Sequence, residues 1–309
     1  MRTRRRPAPP RRHGSGREVR RSVPGLHAAG WRRARVSPLT QRIAAATVLI
    51  PLVVAAVVWL PGTGFALVLG VFAAIGAREW CRVGDLPAAW HWPYQALIVV
   101  SLAALHALLG HAGVLWGVLA AALAWWLVAL AWVIAHQRGA AVRAMGSAAV
   151  RAAAGWLVLV PAWVALVFLH QQRPLLVLYV LVLIWVADSA AFFAGRRFGR
   201  RKLAARVSPG KSWEGVVAAL LAVAVLAAGT AASGGAGAAA GAGFVALSLA
   251  VAIASVLGDL AESLFKRRAG VKDSGTLIPG HGGVLDRIDS LTAAGPCFAA
   301  GWLAAGSSW

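Results

Sequence analysis

In VLGDLAESLFK, residues 256–266, Asp259, Glu262, Ser263 and Lys266 recur at i, i+3, i+4 and i+7, so on a helix they share one face. Apolar residues fill the other faces. Two carboxylates, a hydroxyl and an ammonium on one stripe of an apolar helix are costly unless they meet a cation, an anion or water, so the stripe calls for a polar ligand. Downstream, the helical pattern breaks at Gly270 and stays broken through Pro279-Gly280-His281-Gly282-Gly283. Glycines let backbone N–H groups approach a ligand closely, and loops of this kind suit phosphates. His281 fits two roles, a general base or a hydrogen-bond donor to phosphate. Asp286 and Asp289 follow at i, i+3 where the last apolar segment opens. Carboxylates beside a phosphate-holding loop suggest Mg²⁺, which binds through one or two carboxylates plus substrate phosphate oxygens.

Two other constellations carry the same chemistry. Asp188 and Ser189 interrupt an apolar stretch shortly before a basic loop, and an intramembrane carboxylate is a functional candidate; the competing reading pairs Asp188 with Arg196. Ser208-Pro209-Gly210-Lys211-Ser212-Trp213-Glu214-Gly215 then reads as a helix start at Ser208-Pro209, with Lys211 and free backbone N–H groups standing where an anion is stabilised. It is no Walker A loop, because the first glycine of that motif is missing and no strand precedes it. Seven of the ten acidic residues lie from Asp188 onward. Before it stand Glu18, Glu79 and Asp85. Glu79, between Arg78 and Arg82, reads as a local ion pair, and Asp85 as part of a basic loop remote from the site.

These groups must be positioned by membrane helices. The 309 residues are 60% hydrophobic and 13% charged, and repeated apolar runs reach the roughly 20 residues that span a bilayer. The expected fold is all-α, a polytopic integral membrane protein with about nine transmembrane helices, near 43–60, 62–77, 95–110, 112–135, 148–168, 174–194, 214–231, 243–263 and 289–305. With the N-terminus cytoplasmic, 30 of the 31 Lys and Arg fall in cytoplasmic regions and Arg173 alone outside, as the positive-inside rule requires. The net charge of +21 is therefore topology, and no nucleic-acid partner is expected. Three regions follow: a disordered Arg/Pro-rich tail (1–38), scaffold helices (39–173), and a catalytic region (174–309) with a cytoplasmic loop at 264–288. Trp90, Trp92 and Tyr94 read as interface anchors and Trp125 and Trp126 as packing residues. Gly229 to Gly243 reads as a flexible loop, and Cys81 and Cys297 as inert.

Residues 263–289 resemble the signature of the phosphatidate cytidylyltransferases (CDP-diacylglycerol synthases). Ser263, Lys266-Arg267, Lys272-Asp273, Gly275, Ile278, Pro279, His281-Gly282-Gly283, Asp286-Arg287 and Asp289 all fall in its register, and the Ala-Asp-Ser at Asp188 and the Ser208–Gly215 stretch match motifs of the same family. The resemblance is dense from Trp185 to Asp289 and implies CTP and phosphatidic acid as substrates, CDP-diacylglycerol and pyrophosphate as products. It implies catalysis by Asp259, Asp286, Lys266 and Lys211, and Mg²⁺ on Asp259 and Asp286. Asp188 and Asp289 would serve a second cation or support the first. Substrate contacts fall to Ser208, Lys211, Ser263, Lys266, Arg267, Lys272, His281, Gly282, Gly283 and Arg287. The expected location is the bacterial cell membrane, with membrane lipids around the bundle and the site facing the cytoplasm; a homodimer stays open. Two rival readings are a CTP-dependent lipid kinase acting on a polyprenol or phytol, and a transporter. CDP-alcohol phosphotransferases are disfavoured because their D-x2-D-G-x2-A-R motif is absent.

Overall fold

Every long apolar run forms a helix. The computed structural model describes residues 38–275 and 282–306; the Arg-rich tail and His281 lie outside the described residues. Among these, α1 (Pro38–Trp59), α2 (Gly62–Val83), α3 (His91–Leu108), α4 (Ala112–Gln137) and α5 (Ala148–Gln172) form the first half. The second half holds α6 (Pro174–Phe198), α7 (Trp213–Ser233), α8 (Ala238–Arg268) and α9 (Leu285–Ala305). A two-stranded antiparallel hairpin, β1 (Lys202–Ala204) and β2 (Ser208–Ser212), joins α6 to α7.

Six of the helices, α2 and α4 to α8, are long and apolar enough to cross a membrane. Their outer faces carry exposed Leu67, Leu127, Phe193 and Val225, with Leu52 and Trp59 exposed on α1. In water each such side chain would forgo roughly 1.5–3 kcal/mol of burial energy; in lipid it forgoes nothing. The chain is a multi-pass membrane protein. At its centre runs α5, buried along Val158–His170 and packed against α2, α3, α4, α6 and α9.

One end of the bundle gathers the polar loops. Glu79 on α2 meets Leu285 at the start of α9, Arg206 after α6 donates its N–H to Gln137 on α4, and Lys211 meets Asp259 on α8. Some boundaries differ from the sequence reading. The Ala-rich stretch after Gly237 is helical, so α8 begins five residues early and the flexible loop shrinks to 234–237; alanine's helix propensity outweighs the glycines there. Helix α2 likewise continues to Val83. Trp90 and Trp92 are exposed as anchors should be, but Tyr94 is buried; Trp125 and Trp126 are buried as expected.

Candidate active site

With 31 residues α8 is about 46 Å long at 1.5 Å per residue, longer than a bilayer core of about 30 Å. Its polar stripe occupies the last turns, toward the Arg268 end of the helix. The stripe is pre-wired. Ser263 Oγ donates to Asp259 Oδ1 at 3.2 Å, and Lys266 Nζ lies 3.3 Å from Glu262 Oε1.

The hairpin delivers Lys211 to this stripe from a strand, which corrects the expected helix start at Ser208. Ser208 pairs with Ala204 and Ser212 with Lys202 across the hairpin. Helix α7 begins at Trp213, capped by Ser212, whose hydroxyl accepts the Gly215 N–H at 3.2 Å. The Trp213 N–H donates to Arg201 O at 3.0 Å, and the Arg201 N–H returns to Glu214 at 3.1 Å, so the hairpin base is locked. Its tip region leans on α8: Arg267 Nε donates to Val207 O at 3.4 Å, and Lys211 Nζ meets Asp259 Oδ2 at 2.6 Å.

The signature loop closes onto Asp286. Its Oδ1 meets Lys266 Nζ at 2.7 Å, while Oδ2 accepts from the Ser274 N–H at 2.9 Å, the Ser274 hydroxyl at 3.0 Å and the Gly283 N–H at 2.8 Å. Both described ends of the loop thus hang on one carboxylate. The Gly283 N–H is consumed in this way and does not point at a ligand, contrary to its expected role. Gly282 has φ +84°, a left-handed turn that favours glycine. Gly258 on α8 lies against the Asp289 carbonyl of α9, where a Cβ would collide, so α9 approaches close enough to bring Asp289 beside Asp259 and Lys266.

Sequence reasoning missed Glu79. Instead of pairing with Arg78 or Arg82, its buried carboxylate accepts from the Val284 N–H (3.0 Å), the Leu285 N–H (2.8 Å) and the Ser274 hydroxyl (3.0 Å). One signal was available: Glu79 lies on the same helical face as Gly76, Trp80 and Val83, which are all buried. Asp85 is not remote either, since it reaches Arg151 at 3.6 Å and Arg268, at the end of α8, at 3.5 Å.

The structure brings Asp188, Lys211, Asp259, Ser263, Lys266, Asp286 and Asp289 into one electrostatic group; Asp188 lies within reach of Lys211 and Asp259, and among the described residues it forms no ion pair with Arg196. Ser208 is half-buried on the hairpin; Arg267, Lys272 and Arg287 are exposed. Among the described residues, five carboxylates (Asp188, Asp259, Glu262, Asp286 and Asp289) face the ammonium groups of Lys211 and Lys266. The surplus of negative charge is the property a cation would offset, with Lys266 Nζ serving both buried Glu262 (3.3 Å) and Asp286 (2.7 Å). No three described His, Cys, Asp or Glu converge tightly enough to chelate an ion alone. The described residues thus form no all-protein cage, and the surplus of carboxylates fits Mg²⁺, which keeps waters and takes substrate oxygens beside one or two carboxylates.

The fold is an all-α multi-pass membrane bundle whose polar end gathers carboxylates, ammonium groups and exposed guanidinium groups. Residues 40–303 match the model of the cytidylyltransferase family, and the chain belongs to that family. It is 46% identical over 272 residues to a phosphatidate cytidylyltransferase of Pseudomonas aeruginosa, covering 87% of this chain and 98% of the relative. The phosphatidate cytidylyltransferase of Haemophilus influenzae is 39% identical over 284 residues, covering 84% and 97%. That of Bacillus subtilis is 37% identical over 123 residues, 40% of this chain and 45% of the relative.

Proposed function

We propose that this chain transfers the cytidylyl group of CTP to phosphatidic acid, releasing pyrophosphate and leaving CDP-diacylglycerol in the membrane. The observation that carries this reading is the Lys211–Asp259 pair. Its side chains are 25% and 30% exposed, its place near the end of the long helix α8 puts it at the margin of the apolar layer, and Arg267, Lys272 and Arg287 are exposed on α8, the loop after it and α9. A lipid phosphate held in the bilayer and a water-soluble triphosphate meet at such a margin. The lipid phosphate is itself the nucleophile and is already anionic at neutral pH, so no strong protein base is needed. Catalysis rests on positioning and charge neutralisation.

In this reading Lys211, Arg267, Lys272 and Arg287 bind phosphate oxygens. Ser208 and Ser263 contribute hydroxyls at the hairpin and the stripe, and Lys266 holds Asp286 and Glu262 in place. Asp259, with Asp188 and Asp289 beside it, would hold Mg²⁺; Asp286 is the further candidate, with one Oδ1 lone pair beyond its bond to Lys266. When bound, the cation would neutralise the nucleotide phosphates and the departing pyrophosphate. A two-cation site is supported by the same surplus of carboxylates.

The basic-residue asymmetry supports nine spans, an N-terminus and site in the cytoplasm, and a C-terminus outside. A reporter fused after Trp309 should be active outside the cytoplasm and one at residue 205 inside; a cytoplasmic C-terminus would remove the nine-span arrangement. The function itself is tested by supplying purified protein with phosphatidic acid and CTP labelled at the α- or the γ-phosphate. Lipid labelled from the α position establishes cytidylyl transfer, from the γ position a kinase, and unlabelled lipid would sink both. Removing Mg²⁺ with a chelator should abolish the labelling, and restoring it should bring the labelling back.

A further inference from the structure

Both oxygens of Glu79 are spent on the far half of the molecule: Oε1 accepts the Val284 N–H, Oε2 the Leu285 N–H and the Ser274 hydroxyl. Val284 and Leu285 open α9, and the first N–H groups of a helix have no acceptor within it. Together with the helix dipole, such groups are a ready anion site, the usual place for a phosphate. Here a carboxylate of the protein fills that place, and Glu79, Ser274, Val284 and Leu285 are all buried. Gly275 and Gly283 pack so closely on the carboxylate that a Cβ at either would collide with it. The Ser274 hydroxyl proton is shared between Glu79 and Asp286, each 3.0 Å away, so the loop is strung between a carboxylate of α2 and one of α9.

We propose that Glu79 is a positioning residue for the transfer reaction. It fixes the start of α9, and through it Asp286, Arg287 and Asp289, and it occupies the anion site of that helix. Nucleotide phosphates are therefore held by side-chain cations rather than by the backbone donors of α9. The inference rests on the cytidylyltransferase reading.

Gln at this position keeps the size of Glu but turns one acceptor into a donor, so an N–H of the side chain faces an N–H of the backbone. Asp keeps both acceptors on a shorter arm. In the full-length protein in lipid–detergent micelles, Glu79→Gln should lower kcat about a hundredfold, the scale of a small misplacement of reacting groups, with KM for CTP nearly unchanged. Glu79→Asp should recover part of that loss although its shape departs further. Ser274→Ala should cost less, and less again when added to Glu79→Gln, because the two share one network. Independently of activity, hydrogen exchange in residues 282–290 should quicken in Glu79→Gln. Wild-type kcat in Glu79→Gln, a loss carried by KM for CTP, or unchanged exchange would each overturn the proposal. If Glu79→Gln does not fold, Glu79→Asp and Ser274→Ala decide by the same readouts. If wild-type protein transfers no α-label, the functional reading fails, and the exchange result still decides whether Glu79 holds the loop.

Discussion

Two ammonium–carboxylate pairs lie within a few helical turns of each other, and they are built for different work. Lys266 and Asp286 are 11% and 7% exposed, 2.7 Å apart, and every other oxygen contact of Asp286 goes to the signature loop. Lys211 and Asp259 are 2.6 Å apart but 25% and 30% exposed, and the lysine arrives on a hairpin rather than a helix. The inner pair is a frame, because a ligand that displaced either partner would break a buried ion pair and, at Asp286, release the signature loop. The outer pair is exchangeable, since a triphosphate could take the lysine and a cation the carboxylate at little cost in desolvation. On the proposed function, the contrast separates the residues that hold the loop from those that would meet the substrate.

The comparison is broken or sharpened by removing one charge from each pair. Asp286→Asn should have the largest effect: it leaves Lys266 with Glu262 alone and weakens three loop hydrogen bonds. Breaking a buried pair costs roughly 3–5 kcal/mol, so the thermal midpoint in detergent should fall along with activity. Asp259→Asn should lower kcat roughly a hundredfold or more, as for losing a group that acts mainly in the transition state. Its thermal midpoint should stay near wild type, and more Mg²⁺ should be needed for half-maximal rate. If Asp259→Asn unfolds the protein while Asp286→Asn spares it, the division into frame and ligand-facing pair is inverted. Lys211→Ala should follow, raising KM for CTP without loss of fold.

How much of this was open to the sequence depends on the range of each interaction. The helices and the stripe from Asp259 to Lys266 were legible, because periodicity is local and all four residues do share a face. The register of the signature located the loop. What stayed hidden were contacts across the fold. Glu79 was misread because Arg78 and Arg82 adjoin it in sequence, whereas its partners lie some 200 positions away, and two of the three are backbone N–H groups, which leave no mark in residue types. The hairpin was misread because Pro209 is as compatible with a strand edge as with a helix start, and pairing with Lys202–Ala204 decided between them. Gly283 looked like a phosphate donor for a sound reason, yet Asp286 three residues on competes for the same N–H.

The smallest effect is expected where the exposure gradient ends. Asp85 pairs with Arg151 and Arg268, but its side chain is 68% exposed, and exposed pairs contribute roughly 0–1 kcal/mol. What matters at this corner is the backbone. Arg151 is buried, and its guanidinium donates to the Gly84 carbonyl, to Met145 O at 2.9 Å, to Gly146 O at 2.8 Å and to Asp85 O at 2.7 Å, clamping two loops together. Asp85 itself sits at φ 49°, a left-handed conformation that Asn tolerates and β-branched residues do not. Asp85→Asn should therefore leave both thermal midpoint and specific activity near wild type. Asp85→Val should cost about 1–2 kcal/mol from the left-handed conformation alone, with activity per folded molecule unchanged. Arg151→Ala should be far worse, because it strips four carbonyls of their donor. Were Asp85→Asn instead as damaging to kcat as Asp259→Asn, with the fold intact, exposure would not be what separates these pairs, and the carboxylate of Asp85 would have to act on the substrate through Arg268.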